Sequence, residues 1–107
     1  MSFFSFGTKA DTDLSPEQFK TKLDADPEAV LLDVRTAGEY AEGAIGDAKN
    51  VDFFSHNFKA QLENLSKEKN YYVYCRSGNR SGQAVKVLKN MGYTAYNLDG
   101  GIMAWPY

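Results

Sequence analysis

Cysteine and histidine are nearly missing from this chain: Cys75 and His56 are the only ones in 107 residues. A lone thiol excludes an intramolecular disulfide, and one thiol with one imidazole falls short of a structural zinc site. A chain without disulfides fits a reducing compartment, so cytoplasmic localisation is the expectation. Basic charge is not in surplus either. Twelve Lys and Arg face fourteen Asp and Glu, for a net charge of -2, which provides no electrostatic footprint for nucleic acid or an anionic membrane. No apolar run approaches the roughly 20 residues of a membrane span. The opening Met1-Ser-Phe-Phe-Ser-Phe-Gly7 has no basic residue ahead of its short apolar cluster, unlike a secretion signal. No internal repeat or linker is evident.

Apolar and aromatic residues are plentiful, with seven Phe, seven Tyr and one Trp, so the chain has the means to close one hydrophobic core. Residues 1–12 carry no periodicity and read as a loosely ordered lead-in, and 13–107 as one domain. Ser15-Pro16-Glu17-Gln18 predicts a helix start: Ser15 caps, Pro16 suits the first turn, and Gln18 reaches back. Phe19 and Leu23 form its apolar face. Ala29 to Val34 is a short apolar run, the pattern of a strand covered on both sides. Thr36 and Glu39 repeat the capping-box spacing and predict a short helix ending before Gly43. A brief strand near Asn50-Val51 and a helical stretch over 58–65 follow. Asn70 to Tyr74 reads as another strand, and Ala84, Val87, Leu88 and Met91 fall at helical spacing before Gly92. Tyr93 to Leu98 is the last strand, and Asp99-Gly100-Gly101 turns into a short segment through Trp105. Strands alternating with helices predict an α/β fold with a mainly parallel sheet.

Between the strand ending at Tyr74 and the following helix stands Cys75-Arg76-Ser77-Gly78-Asn79-Arg80-Ser81-Gly82. A glycine-bearing turn at the carboxyl end of a parallel strand aims successive backbone N–H groups inward, and the helix start adds partial positive charge. Such a loop stabilises an anion. A thiolate placed there has a lowered pKa and becomes the nucleophile, while Arg76 and Arg80 can grip an oxyanion through forked hydrogen bonds. An inert buried cysteine is the bland alternative, but it has no use for two arginines and two glycines within seven positions.

These residues resemble the rhodanese family over nearly the whole domain, from Leu14 to Trp105. Leu32-Asp33-Val34-Arg35-Thr36 with Glu39-Tyr40 is similar to the family's early strand-and-turn signature, and Cys75 to Ser81 to its active loop. Gly92-Tyr93 and Leu98-Asp99-Gly100-Gly101 with Trp105 resemble its closing motifs. The resemblance implies a five-stranded, mainly parallel sheet flanked by helices on both faces. It also implies sulfur transfer from thiosulfate or a related donor to cyanide or a thiol, through a persulfide on Cys75. Arg76, Ser77, Gly78, Asn79, Arg80 and Ser81 would bind the donor, and no metal or organic cofactor is required.

One segment departs from the family pattern, which usually reads Gly-His-Ile-Pro-Gly-Ala-x-Asn: Ala44 replaces the His, Gly46 the Pro and Asp47 the second Gly. That bears on pocket shape or partner choice more than on chemistry. Asp33 and Arg35 read as a structural pair bracing neighbouring loops. His56 reads as a surface histidine, Asp99 as a cap or loop brace, and Trp105 as core packing. Two rival functions remain open. A cysteine phosphatase or arsenate reductase shares the Cys and Arg, but phosphatases of this fold resemble Cys-x5-Arg, whereas Cys75 to Arg80 is the shorter Cys-x4-Arg. A persulfide relay module, served by a protein donor or acceptor, is the other.

Overall fold

The computed structural model describes residues 10–107. Five strands form one sheet, β1 (Asp13–Leu14), β2 (Ala29–Asp33), β3 (Lys49–Asn50), β4 (Asn70–Tyr74) and β5 (Thr94–Leu98), in the order β1-β5-β4-β2-β3. Every pairing is parallel. The helices are α1 (Pro16–Ala25), α2 (Ala37–Ala41), α3 (Phe58–Glu63) and α4 (Asn79–Asn90), with a 3-10 turn at Ile102–Ala104. Both expected capping boxes form: Ser15 and Gln18 close the start of α1, and Thr36 and Glu39 that of α2.

Side chains alternate across β4, so its neighbours in sequence feed two different cores. Tyr71, Val73 and Cys75 join Leu32, Val34 and Ala95 against α3 and α4, where Phe58, Leu62, Val85 and Leu88 are buried. Tyr72 and Tyr74 face the other way, with Leu31, Leu98 and Phe19 of α1. Trp105 packs edge-on to Phe19 at 5.8 Å, closing that second layer. Helices thus cover both faces, and the central strand β4 is buried on each side, which is why its sequence is apolar and aromatic without alternation.

Two features differ from the expectations. β1, which lies at the sheet edge, was not expected: Asp13 and Leu14 pair with Asn97 and Leu98, and the Thr12 carbonyl accepts from Asn97 N–H at 2.8 Å. A two-residue strand has no periodicity to read, and the lead-in expected over 1–12 lies outside the described residues for 1–9. Helix α4 begins at Asn79 rather than after Gly82, because Gly78 adopts φ +103 and ends the loop after only four residues. Among the described residues no helix is long and apolar enough to cross a membrane.

Candidate active site

Cys75 follows the last residue of the central strand, at the sheet's carboxyl edge, where open α/β sheets place their ligands. Its side chain lies on the α4 face and is 1% exposed, so the sulfur sits under the helix start. Three donors converge on Sγ: Gly78 N–H at 3.1 Å, the Ser81 hydroxyl at 3.2 Å and Ser81 N–H at 3.4 Å. Burial pushes the thiol pKa up, but the Ser81 hydroxyl and the amides of Ser81, Gly78 and Ser77 outweigh it, and the thiol is held below its ordinary value. Because α4 starts at Asn79, two of these groups belong to the first helical turn, whose unpaired N–H groups carry partial positive charge.

The backbone under the loop explains its shape. Gly101 comes so close that a Cβ there would stand 2.3 Å from the Arg76 carbonyl oxygen. Two further bonds tie the same segments together, Ile102 N–H to the Cys75 carbonyl at 2.9 Å and Met103 N–H to the Arg76 carbonyl at 3.1 Å. The Gly100-Gly101 pair, read from the sequence as a turn, is therefore the floor of the Cys75 loop.

The two loop arginines part company. Arg80 is held by Glu39, with Nη1 to Oε1 at 2.7 Å and Nη2 to Oε2 at 3.1 Å, and stacks over Phe54. Glu39 is in place because the same carboxylate accepts from Thr36 N–H at 2.9 Å in the α2 capping box. Its pKa drops to about 2, chiefly through Arg80 and then through Thr36. Arg76, Ser77 and Asn79 are exposed beside the sulfur, and among the described residues Arg76 has no ion-pair partner. Glu39 stood out in the sequence only as a capping residue; that it also receives Arg80, 41 positions away, has no local signal.

A family model for the Rhodanese-like domain matches residues 15–106. The chain belongs to this family. A crystal structure of a rhodanese-like domain protein from Staphylococcus aureus superposes with a TM-score of 0.77 at 32% identity, covering 88% of this chain and 90% of that one. YtwF of Bacillus subtilis is 39% identical over 93 residues, 87% of this chain and 88% of its own length. A Saccharomyces cerevisiae protein named thiosulfate:glutathione sulfurtransferase is 36% identical over 89 residues, 73% of this chain and 64% of its own length.

Within this rhodanese-like domain, Asp33 and Arg35 make a buried fork. Arg35 Nε stands 3.0 Å from both Asp33 oxygens, and Nη2 donates at 2.6 Å to Asp33 and at 2.6 Å to the Gly43 carbonyl. The pair anchors the turn that departs from the family pattern. Gly46 there stands at φ +52, which proline cannot adopt, so this turn has a backbone different from a Pro-bearing one. The turn borders an open groove of about 530 Å³ with Arg35, Ala44, Ile102 and Trp105 in its walls. His56 is exposed, and no cluster of potential metal ligands occurs among the described residues.

Proposed function

We propose that Cys75 takes up sulfane sulfur from thiosulfate or a related donor, holds it as a persulfide, and passes it to cyanide or a thiol. The convergence of the Gly78 and Ser81 donors on Sγ carries this reading, because it supports an ionised sulfur without any neighbouring base. The thiolate attacks the outer sulfur of thiosulfate, the sulfur–sulfur bond of the donor breaks, and sulfite leaves with its electron pair. The new terminal sulfur carries the negative charge, and the loop amides stabilise it as they did the thiolate. Cyanide then takes that sulfur as thiocyanate, or a thiolate takes it as a new persulfide, and Cys75 returns to its starting form. Arg76, exposed at the loop, orients the donor's sulfonate. Arg80, clamped on Glu39, keeps the first turn of α4 in register with α2 and adds positive charge near the sulfur. Ser77, Gly78, Asn79 and Ser81 supply the loop's backbone.

The short Cys75-to-Arg80 spacing and the commitment of Arg80 to a carboxylate argue for sulfur rather than phosphate as the transferred group. The test is intact-protein mass spectrometry after thiosulfate exposure. Wild-type protein gains the mass of one sulfur atom and Cys75→Ser gains none; a Cys75→Ser variant that still produced thiocyanate would refute the proposal.

A persulfide relay between proteins is the second reading. Two of the three large apolar side chains exposed among the described residues, Phe54 and Met103, lie beside this loop, one under Arg80 and the other bonded through its N–H to Arg76. Rapid sulfur uptake from a purified cysteine desulfurase, beside slow thiosulfate turnover, would mark the relay as the main activity.

A further inference from the structure

Asn97 of β5 is a buried polar residue that the mechanism above leaves unused. It is 3% exposed, and its side chain lies between the sheet edge and the start of α4. Both N–H bonds of its amide are committed, one to Asp13 Oδ1 at 2.9 Å and one to the Gly78 carbonyl at 3.3 Å. The amide orientation follows from these partners, since turning it over would set its oxygen against two acceptors. The consequence is that Asn97 Oδ1 is buried with no hydrogen-bond partner. A buried polar atom left unsatisfied is destabilising and calls for a reason.

We infer that Asn97 is a positioning residue for the nucleophile loop: by holding the Gly78 carbonyl it fixes the left-handed Gly78 turn that aims amides at Cys75 Sγ. The Gly78 carbonyl takes two bonds, from Asn97 and from Gly82 N–H at 3.0 Å, so the peptide leaving Gly78 is clamped from the sheet and from the helix at once. The opposite peptide plane, reaching Gly78 from Ser77, carries the N–H that meets the sulfur at 3.1 Å. A glycine at φ +103 has wide conformational freedom, and the two clamps select one rotation from it. A Cβ at position 82 would stand 3.5 Å from Asn97 Nδ2, in ordinary van der Waals contact, so the amide packs directly against the first turn of α4. The orphaned oxygen is the cost of this arrangement. An apolar residue would pack there with no polar atom to satisfy, but it would leave the Gly78 carbonyl to the helix alone.

The inference rests on Cys75 being the nucleophile, and its test separates the two claims. The rate of Cys75 alkylation by iodoacetamide is measured against pH in wild type, Asn97→Leu and Asp13→Ala, with Leu62→Ala as a core variant remote from the loop. The charged groups near the sulfur, Arg80 with its Glu39 and Arg76, are untouched in all four. In Asn97→Leu the inflection rises by about half a pH unit or more, so that thiolate at neutral pH falls about threefold; Leu62→Ala leaves it in place however much stability it loses. Asp13→Ala, the variant to rely on if Asn97→Leu does not fold, frees the Asn97 amide and raises the inflection by less. Loss of a negative charge alone would instead lower it. An unmoved inflection in Asn97→Leu, or a lowered one in Asp13→Ala, overturns the inference. Persulfide formation on Cys75 in wild type is scored separately, so its failure sinks the proposed function and not the role of Asn97.

Discussion

Ser81→Ala removes one of the three donors on Cys75 Sγ and leaves both amides in place. Ser81 is fully buried, its hydroxyl stands 3.2 Å from the sulfur, and an alanine fills nearly the same volume. A hydrogen bond to a charged group is worth about 1.5–3 kcal/mol. A diffuse sulfur anion belongs at the low end, so about 1.5 kcal/mol of thiolate stabilisation is lost, or roughly one pKa unit upward. At pH values below the inflection, thiolate becomes about tenfold scarcer. A more basic thiolate is also a better nucleophile, with a Brønsted slope of about 0.4–0.5, so the observed rate falls only about three- to fourfold. Above the inflection the variant equals or exceeds wild type. The assay is iodoacetamide alkylation across the pH range, followed by mass spectrometry, with thermal denaturation to show that the fold persists. A rate reduced by the same factor at every pH would refute the reasoning, because it would mean that Ser81 governs access to the sulfur rather than its ionisation.

Glu39→Gln weakens the Arg80 clamp. The Glu39 pKa is lowered from 4.5 to about 2, so its stabilisation is complete above the unfolded value and disappears as pH falls toward 2. The full shift would amount to about 3 kcal/mol. With a quarter of the side chain exposed, screening reduces this to about 1–2 kcal/mol, measured as a stability gap at pH 7 that closes in acid. Gly101→Ala meets the Arg76 backbone at 2.3 Å and is expected to lower the melting temperature drastically or prevent folding. Gly43→Ala meets nothing within 4 Å and loses only the backbone term of a side chain held at φ +141, about 1–3 kcal/mol. Arg76→Ala is expected to raise KM for thiosulfate and, by removing an exposed positive charge, to raise the inflection of Cys75 alkylation only slightly; an unaltered KM would remove Arg76 from donor binding.

Local chemistry carried the sequence reading a long way. The capping boxes at Ser15 and Thr36, the apolar run of β2 and the helical spacing after Gly82 each depend on contacts within a few positions, and each element formed, α4 starting one turn earlier than its apolar spacing predicts. The cysteine loop was equally legible, because strand, glycine turn and helix start are consecutive in the chain. The short edge strand β1 was not, since two residues hold no period and Asp13 acquires its place only by pairing with Asn97, 84 positions away.

By itself the sequence determined the order of the elements after β1, the parallel α/β class and the place of its one cysteine, between a strand and a helix start. Tertiary structure decided what each neighbour does: Arg80 is taken by Glu39, Gly101 presses against the loop backbone, and Asn97 holds Gly78. The reason is physical. Capping, turn formation and periodicity are fixed by bonds between near neighbours, whereas charge pairing and backbone approach arise only when the sheet brings distant segments within a few ångströms.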